Sequence, residues 1–140
     1  MKITQIVILL LSIGGNLYAV ERFISQADFE QNLAIQLSLT PKTLAELHRH
    51  GITTEDERPL EFFFYTDSLT KARKLADELS KLGYSAKYTE SVGDSDEYIV
   101  RGWTIPILMS EDAVLEWTEN MCRIGFDMDA EFDGWGTLAE

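Results

Sequence analysis

Near the end of the chain, acidic residues occupy every second position: Asp127, Asp129, Glu131 and Asp133, with Phe126, Met128, Ala130 and Phe132 between or before them. Side chains alternate across a strand, so this register predicts an apolar row turned inward and a carboxylate row turned outward. Successive carboxylates would stand ~7 Å apart and repel by about 0.6 kcal/mol per pair in watery surroundings, several-fold more if buried. The row must therefore face solvent or a cationic partner. A straight strand spreads its carboxylates and does not converge them, which argues against a metal cage. The calcium-loop arrangement also fails, because Gly134 follows the fourth acid and no glutamate closes the loop. Two readings remain: a solvated strand face, or a docking surface for a basic protein.

Trp135 lies between Gly134 and Gly136. Glycine on both sides lets the backbone turn and lay the indole on a surface, either the domain's own core or a partner, where Trp is a frequent anchor. Asp127, Asp129, Glu131, Asp133 and Trp135 are thus the expected partner-contacting residues. Other reactive groups offer less. His48 and His50 are two apart on a predicted helix and diverge by about 200°, so they suit the helix C-terminus better than a shared metal. Cys122 is the single cysteine. It excludes an internal disulfide and a cysteine-rich zinc site, and its position suits a small buried residue better than a nucleophile. Glycine-rich phosphate loops, nucleophile elbows and metalloprotease motifs are absent. No catalytic residue, metal or cofactor is expected.

Charge sharpens the picture. Twelve Lys+Arg stand against 24 Asp+Glu, a formal net charge of −12. Such a chain repels a phosphate backbone, which argues against direct nucleic-acid binding. From Glu111 to Glu140 there are nine acids and one base, Arg123, whereas Lys71, Arg73, Lys74 and Lys81 share one predicted helix. An acidic field of this kind accelerates encounter with a basic partner in a salt-sensitive way.

The elements that must carry these residues follow from pattern. Ser25 with Asp28 three positions on, and Ile24 with Phe29, predict a capped and stapled helix start. Phe29, Leu33 and Leu37 continue one apolar stripe. Thr40-Pro41 predicts a second short helix ending at Gly51, with Leu44 and Leu47 facing inward. The polar stretch 53–59 reads as a loop. Leu60 to Tyr65, rich in aromatics, predicts a largely buried central strand. A helix follows from Asp67 or Ser68 to Gly83, then a half-buried strand through Tyr84, Ala86 and Tyr88. Gly93 to Asp96 makes a turn, Tyr98 to Ile105 returns, Ser110 caps a helix that Gly125 ends, and Phe126 to Asp133 is the last strand. The order from Leu60 is strand, helix, strand, strand, helix, strand. This is an α+β arrangement: a ferredoxin-like βαββαβ sandwich with two extra N-terminal helices.

The N-terminus reads differently. Lys2, the apolar run Ile6 to Ile13 and Ala19 resemble an export signal, with cleavage after Ala19. The same run could serve as an uncleaved membrane anchor. The expected organisation is a signal or anchor at 1–19, a helical extension and linker at 20–59, and the sandwich at 60–140. The expected location is periplasmic or exported, with the cytoplasm as the alternative should the first segment not be translated.

Glu131-Phe132-Asp133-Gly134-Trp135-Gly136-Thr137 resembles the signature of the regulator of ribonuclease activity B (RraB) family. Leu60 to Tyr65 and Leu82-Gly83-Tyr84 are similar to the same domain, so the likeness spans roughly Leu60 to Leu138. The resemblance implies a ferredoxin-like α+β fold and a non-catalytic protein that binds ribonuclease E and restrains it. It further implies docking on that enzyme's non-catalytic half, where basic segments lie. The alternative is an exported module of the same kind with an unknown envelope partner.

Overall fold

A computed structural model describes residues 21–90 and 96–138, so the predicted signal or anchor and most of the predicted turn at 93–96 lie outside the described residues. The described residues form an α+β fold of three helices and two antiparallel sheets. Among the described residues no helix is long and apolar enough to cross a membrane.

Helix α1 (Gln26–Arg49) begins as its sequence directs. The Ser25 hydroxyl accepts from the Asp28 N–H, and the Asp28 carboxylate accepts from the Ser25 N–H, a reciprocal capping box. It does not break at Thr40-Pro41: one 24-residue helix stands where two were predicted. The apolar stripe explains this, because Phe29, Leu33, Thr40, Leu44 and Leu47 stay in helical phase through the proline. Thr40 is also held from outside the helix. The Trp135 indole N–H donates to its hydroxyl at 3.1 Å, and its hydroxyl lies 3.0 Å from that of Thr118. Thr118 spends its single proton on the Val114 carbonyl at 2.7 Å, so Thr40 must be the donor of the pair. This relay ties α1 to the helix beside it next to the point where Pro41 gives up a helical bond.

Strand β1 (Glu57–Arg58), in the stretch read as a loop, pairs with β5 (Ile107–Leu108) as a small antiparallel ribbon. The main sheet contains β2 (Glu61–Thr66), β3 (Ser85–Glu90), β4 (Tyr98–Trp103) and β6 (Glu131–Gly136), in the order β3-β4-β2-β6. Every neighbouring pair is antiparallel. Helices α2 (Leu69–Ser80) and α3 (Glu111–Asp127) start at Ser68 and Ser110, whose hydroxyls accept from Lys71 N–H and Ala113 N–H as predicted. Gly51 and Gly83, at φ of 92° and 85°, follow α1 and α2 in the left-handed conformation that favours glycine.

The core lies between the helices and one face of the sheet. Phe62, Phe64, Val100 and Phe132 meet Leu75, Leu79, Trp117 and Met121, all essentially buried. The Trp117 ring stands edge-on to both Phe132 and Trp135. Beyond β6, helix α1 packs along α3, and the Asn32 amide donates to the Phe132 carbonyl at 2.9 Å. A side chain of α1 thereby occupies an acceptor on the outer edge of the end strand.

Candidate protein-binding surface

The predicted row of four carboxylates does not exist as a row. Helix α3 runs two residues past Gly125, so Phe126 and Asp127 are helical and the last strand begins only at Glu131. Gly125 is a contact glycine and not a stop: a Cβ there would come 2.9 Å from the Ala130 carbonyl oxygen and 3.0 Å from the Phe64 ring. The helix ends in a Schellman motif. The Ala130 N–H bonds the Gly125 carbonyl at 2.7 Å and the Asp129 N–H the Phe126 carbonyl at 3.0 Å. Asp129 takes the left-handed position at φ 59°, where glycine is usual.

The four acids consequently part company. Asp127 is exposed at the end of α3. Asp129 turns inward with a side chain only 13% exposed. Its carboxylate accepts from the Phe23 N–H at 2.9 Å and the Ile24 N–H at 3.0 Å, and it pairs with Lys71 at 2.7 Å and Arg22 at 3.5 Å. Burial alone would raise its pKa, but the Lys71 bond and the two backbone donors outweigh burial and leave it below the ordinary 3.8. The chain's own cations thus neutralise Asp129, which anchors the entry to α1 against the α3–β6 turn.

Glu131 and Asp133 remain together on β6. Burial first, then the charges of Asp133, Asp28 and Glu97, push the Glu131 carboxyl above 4.5. Burial and then Glu97 push Asp133 above 3.8. Burial leads in both, and neighbouring negative charge adds to it. Asp133 is also the extra residue of a β-bulge, since Phe64 pairs with Phe132 and Phe63 with Gly134. Trp135 resumes the register opposite Phe62, on the core side, where its half-buried indole is held by Thr40 and Trp117. The structure therefore lays this tryptophan on its own domain. With Asp133 and Phe63 it lines a shallow groove, whose other wall is Gln36, Leu39 and Thr43 of α1.

The sequence reading missed the second face of the sheet. Paired residues share a face, so Phe63 lies with Arg101, Tyr65 with Ile99 and Glu131, and Glu61 with Trp103. Phe63, Tyr65, Ile99 and Trp103 are half-buried and stand outside the core cluster. Of these, Phe63 borders α1 across the groove it shares with Gln36, Leu39 and Thr43. The Arg101 guanidinium lies 5.1 Å from the Phe63 ring centroid and pairs with Glu61 at 2.9 Å. The largely buried strand expected at Leu60 to Tyr65 is buried on one face and half-buried on the other, and the charged Glu61 in phase with Phe63 and Tyr65 is the signal of that second face.

Among the described residues no three His, Cys, Asp or Glu side chains gather as a metal site. Cys122 is 2% exposed, and burial, with the Glu119 charge second, pushes its thiol up to about 12. His50 lies 3.4 Å from Glu46 within the last turn of α1, a helix-end contact.

A family model described as regulator of ribonuclease activity B matches residues 38–137. No curated protein matches the chain.

Proposed function

The chain belongs to the RraB family, the regulators of ribonuclease activity B, which are non-catalytic, and from that premise we propose that it acts by binding ribonuclease E through the acidic side of its sheet. The observation that carries the reading is the pair Glu131 and Asp133, two acids of β6 beside the Phe63–Tyr65 side of the sheet, with the charges of Asp28 and Glu97 close by. A fold gains nothing from holding like charges together, whereas a basic partner relieves them on binding. Asp129, spent on Lys71 and two backbone N–H groups, and Trp135, spent on Thr40, support the fold beneath this surface. The element order and the strand order β3-β4-β2-β6 support reading the domain as a ferredoxin-like sandwich.

Capture of ribonuclease E by the immobilised chain tests the proposal. Charge reversal at Glu131 and Asp133 together is expected to weaken capture by about tenfold or more, as for charged pairs at an interface. Reversal at Asp127, on the exposed end of α3, is expected to change it little. Capture unchanged by the double reversal overturns the surface; no capture by the native chain overturns the partner. The apolar run at 6–13 favours a second reading, an exported module of the same family with an envelope partner. Cell fractionation with N-terminal sequencing separates the two, since a periplasmic product beginning at Val20 would never meet a cytoplasmic ribonuclease.

A further inference from the structure

Building on the regulator reading, we infer that the open sheet face docks an arginine-rich protein segment, with a guanidinium stacked on Tyr65 and paired to Glu131 and Asp133. The chain carries its own example of the mode. Arg101 lies over Phe63 and pairs with Glu61, an aromatic ring and a carboxylate on the same face of β2. Tyr65 and Glu131 repeat that combination directly across the β2–β6 pair. Tyr65 and Glu131 thus set out a second ring and carboxylate on the face that already holds one guanidinium. Asp133 and Glu97 add negative charge beside it.

Complementarity selects the class of partner. Carboxylates at the rim repel a nucleic-acid backbone, and the Tyr65 ring, set in an apolar floor with Phe63 and Ile99, rewards a flat, weakly hydrated cation. Arginine meets both demands: its planar fork pairs with a carboxylate while its face covers a ring. Lysine supplies a compact, strongly hydrated charge and forgoes the stacking. The surface should therefore distinguish two peptides of equal charge.

Fluorescence anisotropy with the full chain tests this, using a short labelled peptide that alternates arginine with serine and its lysine counterpart. The arginine peptide is expected to bind about tenfold more tightly. Glu131→Gln should weaken it, and Tyr65→Leu, which keeps the apolar bulk but removes the ring, should abolish the preference while the thermal midpoint stays put. Equal binding of both peptides, indifferent to Tyr65→Leu and lost evenly with salt, overturns the inference in favour of bulk charge. A concentration-dependent dimer that Tyr65→Leu dissociates overturns it too, because a second copy would then cover the face. Ribonuclease E capture unaffected by either variant sinks the face and leaves the regulator reading standing. Arginine-selective binding at Tyr65 without ribonuclease E capture supports the face and sinks that reading.

Discussion

Replacing Asp129 with alanine, asparagine and glycine in turn separates the two tasks this residue performs. Its carboxylate accepts two backbone N–H bonds, from Phe23 and Ile24, and faces Lys71 at 2.7 Å. Its backbone sits at φ 59°. Alanine removes the acceptor, leaves the partly buried Lys71 ammonium with Asp67 alone, and strains the left-handed position. Hydrogen bonds to a charged group contribute about 1.5–3 kcal/mol each, discounted here because water can reach Arg22 and part of Lys71. A loss of about 3 kcal/mol follows for the carboxylate, with about 1 kcal/mol more from the backbone. Glycine removes the carboxylate but accepts the positive φ, so it should cost about 1 kcal/mol less than alanine. Asparagine keeps one acceptor and tolerates the conformation, and should be the mildest of the three. Urea unfolding followed by tryptophan emission gives the order directly. Alanine within about 0.5 kcal/mol of the native chain, or no ranking among the three, would refute the anchoring role.

Other perturbations probe the packing and the charges. Gly102→Ala would drive a Cβ into the Ser85 carbonyl oxygen of the adjoining strand; a loss of about 3 kcal/mol or more is expected in the same unfolding assay. With its thiol pushed up to about 12, Cys122 should resist iodoacetamide in the folded chain at mildly alkaline pH and react fully in urea, as read by intact mass. Stability at low pH should show two opposed contributions. The lowered pKa of Asp129 provides stability that is present above its unfolded value and lost as pH falls through the folded one, below 3.8. The raised pKa values of Glu131 and Asp133 mean the opposite. Their ionisation costs stability near neutrality, and the cost fades as pH falls through their folded values. Glu131→Gln should therefore stabilise the chain at neutral pH by an amount that shrinks on acidification, whereas Asp129→Asn should destabilise it near neutrality and match it in strong acid. Paired melting curves across pH check both signs.

Much of the fold was legible because local signals agreed with tertiary needs. Ser25, Ser68 and Ser110 each accept from the N–H three residues on, and Gly51 and Gly83 adopt the positive φ their positions suggested. The failures came where a tertiary contact overrode a local cue. Pro41 looked like a start and became an interior residue, since the stripe from Phe29 to Leu47 buries better as one helix and Thr40 is held by Thr118 and Trp135. Gly125 looked like a stop and became a point of close approach to Ala130 and Phe64.

That second error explains why the candidate surface had to be redrawn. Eight residues of strict alternation from Phe126 to Asp133 fit a strand of period two. The same letters also fit a helix end, a left-handed turn and a strand start in succession, because a Schellman motif needs only an apolar residue after the left-handed position, here the buried Ala130. Periodicity cannot separate these readings over so short a window. What separates them is partners far along the chain: Lys71 and the N–H groups of Phe23 and Ile24 reach Asp129 from more than fifty residues away. An acid so held is occupied within its own chain. Of the original four, Glu131 and Asp133 therefore stand beside the sheet face that carries Phe63 and Tyr65.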